Sequence, residues 1–309
     1  MEVLAAIDVG TNSVLLTVAA RDGDGLRPLV ERAEITRLGR SVDQTQRLAD
    51  EGIQATLRVL GAYAEEAEAL GVVEPAAIAC VCTSAARDAE NGPAFLEMVR
   101  EQCGLSPLII DGEREAQLTF VAARRDFGKH GGPLAIMDIG GGSTEIAVNL
   151  DLPGRFTTSL PIGSVRLHER LGQDRARIHR EVDRALVGVP RLEGGTPVVG
   201  VAGTWTTLAT LALELPHYDA ERVHGYRLKL ATIEELTDRL WKLSLPERLL
   251  LPGLQPGRAD VIPVGALIAG RALRALGGTE AIVSDRGVRW GLLYEHLEAS
   301  GESKKQGGV

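Results

Sequence analysis

The chain carries an internal echo, and that echo limits its fold more than any other feature. The run Ala6-Ile7-Asp8-Val9-Gly10-Thr11-Asn12-Ser13-Val14 resembles Met137-Asp138-Ile139-Gly140-Gly141-Gly142-Ser143-Thr144-Glu145. Asp8 aligns with Asp138, Gly10 with Gly140 and Ser13 with Ser143. Apolar residues precede each copy, and apolar segments follow at Val14 to Ala20 and Ile146 to Leu150. Each copy reads as a β-hairpin closed by a Gly/Ser/Thr turn, with one aspartate at the end of a buried strand. Self-similarity at this separation predicts a duplicated domain.

The surroundings alternate between strand and helix patterns. Ile53, Leu57, Leu60, Ala64 and Ala67 lie three or four apart and predict a helix, with Asp50 as a candidate cap and Gly71 as its end. Ala76 to Cys82 reads as a strand, Phe95 to Cys103 as a helix, Pro107 to Ile110 as a strand and Glu113 to Asp126 as a helix. Glycine and proline between residues 128 and 133 mark a linker. Beyond it the pattern predicts strands at Phe156 to Leu160, Pro197 to Ala202 and Ala281 to Ser284. It predicts helices at Trp205 to Leu213, Ile233 to Leu243, Asp260 to Leu276 and Val288 to Leu297. The expected organisation is one lobe over 1–128, a second over 129–298 and a polar, flexible tail over 299–309.

A chain of 309 residues is long enough for two domains with sizeable cores. Its net charge of −8 argues against broad binding of nucleic acid or acidic membrane, though not against a local anion site. The excess of arginine over lysine suits bidentate phosphate contacts, or reflects base composition. Cys80, Cys82 and Cys103 are odd in number and form no C-x-x-C pair, which argues against disulfides and zinc. Cys80 and Cys82, two apart in an apolar run, read as buried hydrophobes on one strand face. The N-terminal apolar run is broken by Asp8 and has no basic start, and no apolar stretch is long enough to span a membrane. The cytoplasm is the expected compartment.

Three Gly/Ser/Thr turns follow apolar strands: Gly10-Thr11-Asn12-Ser13, Gly140-Gly141-Gly142-Ser143-Thr144 and Gly203-Thr204. Glycine admits close backbone approach, and successive N–H groups with neighbouring hydroxyls form an anion cradle. Asp8 and Asp138 at strand ends need a partner or a metal, because burying a bare charge is costly; the alternative is that each caps its own turn. Magnesium suits such a place, since it takes few carboxylates together with water and phosphate oxygens. Asp111-Gly112-Glu113-Arg114-Glu115-Ala116 puts carboxylates at a helix start, where acids also serve the helix dipole. Glu145 follows the second turn and is placed to orient water or a metal. Arg87 either clamps a phosphate or is an ordinary helix-start residue. His224 is an isolated histidine, more often structural than ligating. The P-loop pattern of nucleotidases is absent from the sequence.

Together these segments resemble the exopolyphosphatase/guanosine pentaphosphate phosphatase (Ppx/GppA) family, in its short two-domain form. The resemblance runs from about Ile7 to Leu293. It is carried by the segments beginning at Asp8, Thr83, Gly112 and Asp138, by Leu160-Pro161-Ile162-Gly163-Ser164-Val165-Arg166 and by Ala202-Gly203-Thr204. Val223-His224-Gly225, Arg258-Ala259-Asp260 and Ser284-Asp285-Arg286-Gly287-Val288-Arg289 complete the set. The resemblance implies an α/β fold of two similar actin-like (ribonuclease H-like) lobes with an interdomain cleft, and hydrolysis of a terminal phosphate with Mg2+ or another divalent cation. It implies that Glu115 activates water, that Glu145 supports it and that Arg87 contacts phosphate. It further implies that Asp8 and Asp138 hold the metal and that the three turns hold phosphates. Inorganic polyphosphate or guanosine pentaphosphate is the implied substrate, and a homodimer is the implied assembly. Leu15 and Trp290 depart from the family pattern, standing where many relatives have an arginine and an acidic residue. The competing readings are an actin-like kinase, which needs an acceptor base and an adenosine pocket, and a non-catalytic sensor of polyphosphate or alarmone.

Overall fold

The computed structural model describes residues 2–73, 77–128 and 131–306, with backbone alone from residue 300 onward. Two compact units divide it, Met1–Ala122 with Val288–Val309, and Ala123–Gly287.

The first unit contains β1 (Val3–Val9), β2 (Ser13–Asp22), β3 (Gly25–Ile35), α1 (Val42–Thr45), α2 (Asp50–Ala69), β4 (Ala79–Cys82), α3 (Ser84–Asp88), α4 (Gly92–Cys103) and β5 (Pro107–Ile109). α5 (Gly112–Phe127) follows, and the division between the units falls inside it. The described strands form a sheet in the order β3-β2-β1-β4-β5. β1, β2 and β3 are antiparallel neighbours, while β4 and β5 run parallel to β1. Alternate residues of β1 and β4 enter one core, where Ile7, Val9, Cys80 and Cys82 meet Leu57, Leu60 and Phe95 of the helices. Val81 enters a different cluster with Leu118, so both cysteines do share one face, as their spacing predicts. α2 carries no side-chain cap: its N-cap is Ala49, and Asp50 lies in the first turn, where its charge favours the helix dipole. Gly71, at φ +107°, turns the chain just past the C-cap Leu70.

The second unit repeats the plan. Its strands are β6 (Ala135–Ile139), β7 (Thr144–Val148), β8 (Phe156–Leu160), β9 (Val198–Val201), β10 (Arg227–Lys229) and β11 (Glu280–Ser284). They are ordered β10-β11-β9-β6-β7-β8. β6, β7 and β8 form the antiparallel meander, β9 and β11 run parallel to β6, and β10 adds an antiparallel edge. The helices are α6 (Ser164–Leu171), α7 (Arg175–Ala185), α8 (Gly203–Ala212), α9 (Ala220–Val223), α10 (Leu230–Lys242), α11 (Leu245–Leu249) and α12 (Ile262–Ala275). Trp205 of α8 is fully buried and lies so close over Gly200 of β9 that a Cβ there would overlap its ring. The doubled α/β plan is that of the actin-like fold.

The last helix, α13 (Val288–Gln306), was expected in the second lobe but returns to the first unit. Leu293 packs with Leu4, Ala6 and Ala19, and Gly291 lets the helix touch the Leu118 backbone of α5. Trp290 is fully buried, its indole N–H donating to Glu31 Oε1 at 3.0 Å. That departure from the family pattern therefore belongs to the core of this unit. The region expected as a tail from residue 299 is helical backbone through Gln306, while residues 307–309 lie outside the described part. The expected linker falls partly outside it as well, at residues 129 and 130. None of the described helices is long and apolar enough to cross a membrane.

Candidate active site

The two hairpins that the sequence pairs are matched in geometry. In the first, the Gly10 N–H donates to the Ser13 carbonyl at 3.0 Å; in the second, Gly140 donates to Ser143 at 3.0 Å. Asp8 lies opposite Leu15 on β2 and Val81 on β4, and Asp138 lies opposite Glu145 on β7 and Val201 on β9. Leu15 is thus the counterpart of Glu145. The second unit has a carboxylate pair across its hairpin where the first has one carboxylate and a leucine.

In the first unit the turn is braced from below. Its carbonyls at Thr11 and Asn12 accept from the backbone N–H groups of Gly39, Thr36 and Arg37 at 2.8–3.1 Å. Arg37 itself adopts φ +53°, a conformation that a side chain makes costly. With its carbonyls engaged below, the turn keeps its shape without needing a ligand. Thr11, Asn12 and Ser13 are buried, and among the described residues the Asn12 side-chain amide nitrogen meets no hydrogen-bond partner. A buried donor of that kind beside a glycine turn suits an anionic oxygen. The negative charge of Asp8 is felt by its neighbour: burial first, and then Asp8, pushes the Cys82 thiol up to about 12.

The Thr83 N–H donates to the Val9 carbonyl at 3.1 Å, which docks α3 beside the same turn. Arg87 lies in the last turn of α3, and its Nη1 donates to the Ile110 carbonyl at 3.0 Å and lies 3.6 Å from Glu115 Oε2. Glu115 stands in the first turn of α5, only 8% exposed, and its N–H donates to the Asp111 carbonyl at 3.0 Å. Asp111 caps the helix by accepting from the Arg114 N–H at 2.8 Å. The structure thus brings together Arg87 and Glu115, two residues from separate sequence motifs.

In the second unit Asp138 is 6% exposed and Glu145 is fully buried. Glu145 Oε1 accepts from the Ser159 hydroxyl on β8 at 2.7 Å. The second turn is held by the start of α6. Ser164, Val165 and Arg166 donate backbone N–H groups to the carbonyls of Gly140 and Gly141 at 2.9–3.0 Å, and Arg166 Nε donates to the Gly142 carbonyl at 2.7 Å. Gly163 is required here, because a Cβ would overlap the Gly141 carbonyl. Thr144 Oγ1 donates to the Ile162 carbonyl at 2.5 Å. These contacts engage the carbonyls of the glycine run, while the Gly140 N–H closes the turn onto Ser143.

The third turn sits at the start of α8. Ala202, just before Gly203, adopts φ +74°. Thr204 Oγ1 donates to the Ile139 carbonyl at 3.0 Å, tying this turn to the end of β6. The Arg258 guanidinium lies so close to Gly203 that a Cβ there would push it aside. Burial pushes this guanidinium down to about 10. A positive-φ non-glycine residue, a helix N-terminus and a desolvated arginine at one point favour an anion.

His224 is not isolated in space. Its Nδ1 lies 2.8 Å from Asp285 Oδ1, its Nε2 lies 3.7 Å from Asp126 Oδ2, and Phe127 packs on its ring at 5.0 Å. Arg286 pairs with Asp126 at 3.0 Å, and the Tyr218 hydroxyl donates to Asp285 Oδ2 at 3.1 Å. Burial pushes the Asp126 carboxyl up. Burial also acts upward on Asp285, but His224, Tyr218 and Arg286 outweigh it and hold that carboxyl below its ordinary range. The network fixes residues 284–287, and a Cβ on Gly287 would lie 3.9 Å from Asp138 Oδ2.

Among the described residues no three His, Cys, Asp or Glu side chains gather into a metal cage. Magnesium needs none, since one or two carboxylates with water and substrate phosphate oxygens suffice. Asp8 and Asp138, each at a strand end beside a glycine turn, fit that donor set. Sequence reasoning did not assign Ser159, Arg166, Asp126 or Asp285 a role. Arg166 and Asp285 lie within quoted segments, whereas Ser159 could be found only from strand register.

A family model described as the Ppx/GppA phosphatase family matches residues 17–300. Exopolyphosphatase 2 of Mycobacterium tuberculosis is 36% identical over 294 residues, covering 88% of this chain and 90% of that protein. Exopolyphosphatase 1 of the same organism is 31% identical over 311 residues, covering 97% and 89%. Among solved structures, the Aquifex aeolicus member of the Ppx/GppA family matches with a TM-score of 0.79 at 31% identity, covering 96% of this chain and 98% of that one. An exopolyphosphatase from Cytophaga hutchinsonii shares the fold, with a TM-score of 0.85 at 24% identity over 96% and 98% of the two chains.

Proposed function

Because this chain belongs to the Ppx/GppA phosphatase family, we propose that it is a metal-dependent phosphohydrolase that releases the terminal phosphate of inorganic polyphosphate. The observation that carries this reading is the matched pair of turns at Gly10 and Gly140, each beside a strand-end aspartate. A strand-end carboxylate beside a donor-rich turn is the arrangement that a phosphate and its metal ion need.

Water attacks the terminal phosphorus in line, the bond from that phosphorus to the bridging oxygen breaks, and the shortened polyphosphate leaves. Glu115 accepts a proton from that water, held in place by Arg87 and by its own helix start. Glu145 orients the water as a supporting acid. Backbone N–H groups within the turns at residues 10–13, 140–144 and 203–204 take phosphate oxygens, where fixed donors stabilise the charge that spreads over the transferring group. Arg87 adds a cation close to the reacting group. Asp8 and Asp138 would hold the divalent metal, which supplies neutralisation of phosphate charge when bound.

Phosphate release by the purified protein with magnesium, from short polyphosphate and separately from guanosine pentaphosphate, tests the reading. Release from polyphosphate that falls about a hundredfold or more in Glu115→Gln supports both the reaction and the base. Release from guanosine pentaphosphate alone would replace the substrate, and turnover near wild type in Glu115→Gln would remove that residue from the role. Tight binding of both compounds without release would make the chain a sensor.

A further inference from the structure

Glu145 is the most deeply buried of the carboxylates assigned to the site, and it stands directly opposite a second one, Asp138, on the neighbouring strand. Directly opposed residues of an antiparallel pair put their side chains on the same face, so like charges there repel. A fully buried carboxylate in that position needs a donor on its other side. The register supplies one. Glu145 lies opposite Ser159 on β8, and the Ser159 hydroxyl donates to Oε1 at 2.7 Å. Asp138, Glu145 and Ser159 therefore form a row across β6, β7 and β8, with the hydroxyl at its outer end.

We infer that Ser159 is a positioning residue for Glu145. Its hydroxyl ties one carboxylate oxygen and stops the group from rotating about its terminal bond, which fixes the lone pairs that Glu145 presents to the attacking water. β8 is the edge strand of the sheet, and Ser159 is exposed on it. A residue whose only task was to fill space there would have no need of a hydroxyl aimed at a buried acid. The first unit needs no such donor, because Leu15 occupies the place of Glu145. The inference rests on the reading of Glu145 as the supporting acid.

The test is a double-mutant cycle on phosphate release from polyphosphate, with Ser159→Ala, Ser159→Thr, Glu145→Gln and the Ser159→Ala/Glu145→Gln pair. Losing a hydrogen bond to a charged group should lower kcat on the order of tenfold in Ser159→Ala. KM should stay within about twofold, because substrate binding is left intact. Ser159→Thr, which keeps the hydroxyl, should recover most of that loss. In the Glu145→Gln background Ser159→Ala should cost nothing further, since the group it positions is already disabled. Wild-type kcat in Ser159→Ala, or losses that multiply in the double variant, would overturn the inference while leaving the role of Glu145 standing. Wild-type kcat in Glu145→Gln would instead remove that role, and the inference with it. Melting temperatures recorded for all variants separate a fall in kcat from a fall in folded protein.

Discussion

Arg87 Nη1 lies 3.6 Å from Glu115 Oε2 while donating to the Ile110 carbonyl at 3.0 Å, so one guanidinium holds the proposed base against the end of β5. An arginine fork can serve both acceptors at once, whereas a lysine ammonium is a point charge on a flexible stem. Arg87→Ala should lower turnover about ten- to a hundredfold, because it removes a fixed cation beside the proposed base and the reacting group. Arg87→Lys should fall between that variant and wild type. Steady-state kinetics decide it, and full activity in Arg87→Ala would show that Glu115 needs no such support.

The opposed pair Asp138 and Glu145 gives function and stability opposite signs. Asp138→Asn removes one of two like charges facing each other and should stabilise the metal-free protein by roughly 0.2–1 kcal/mol. The same change should raise the magnesium concentration for half-maximal activity by about tenfold or more, if this carboxylate holds the metal. Asp8→Asn should shift the magnesium requirement too, but without the gain in stability, because Leu15 stands opposite it. Thermal melts and magnesium titrations on the two variants separate these effects. An unchanged magnesium requirement in both would reject the metal assignment.

Acid sensitivity should concentrate on Asp285. His224, Tyr218 and Arg286 hold its carboxyl below the ordinary value of 3.8 against the upward push of burial. A carboxylate held low in the folded state adds stability above its unfolded pKa and loses it as pH falls through the folded one. Asp285→Asn should therefore be clearly less stable than wild type at pH 7, and the gap should close below about pH 4. Urea denaturation at the two pH values checks this; a gap that stays constant would mean that the ionised form is not what the network stabilises.

The thiols divide by burial. Burial, with the charges of Cys82 and Asp8 adding to it, pushes the Cys80 thiol well up, and Cys82 is raised to about 12. Neither presents thiolate at neutral pH. Cys103 is only partly buried, and burial raises it as well. Alkylation of the native protein at pH 8, followed by mass spectrometry, should label Cys103 slowly and leave Cys80 and Cys82 untouched until the chain is unfolded. Early labelling of Cys82 would contradict its burial.

The candidate site was legible where its residues are local in the chain. The turns at residues 10–13 and 140–144 announce themselves through glycine and hydroxyl residues, and the aspartates two places before each turn come with them. Strands such as Phe156–Leu160 were bounded correctly because their patterns are local. β3 was missed because Arg27, Pro28, Glu31, Arg32 and Glu34 give it no strand pattern of its own, and its pairing with β2 decides it. α7 was missed for a similar reason: charged residues dominate it, and only Ile178 and Val182 are buried.

By itself, the sequence determined the duplication, the strand-end aspartates and the turns, because each is written within about ten residues by side-chain period and by the conformational freedom of glycine. Only the tertiary structure decided what those pieces meet. It placed Arg87 on Glu115, and it gathered Asp126, His224 and Asp285 from distant parts of the chain into one network. It put Ser159 opposite Glu145 and returned the helix from Val288 to the first unit. These outcomes depend on strand register and on long-range burial, where a shift of one residue turns every side chain to the opposite face. No local pattern of residues specifies that choice.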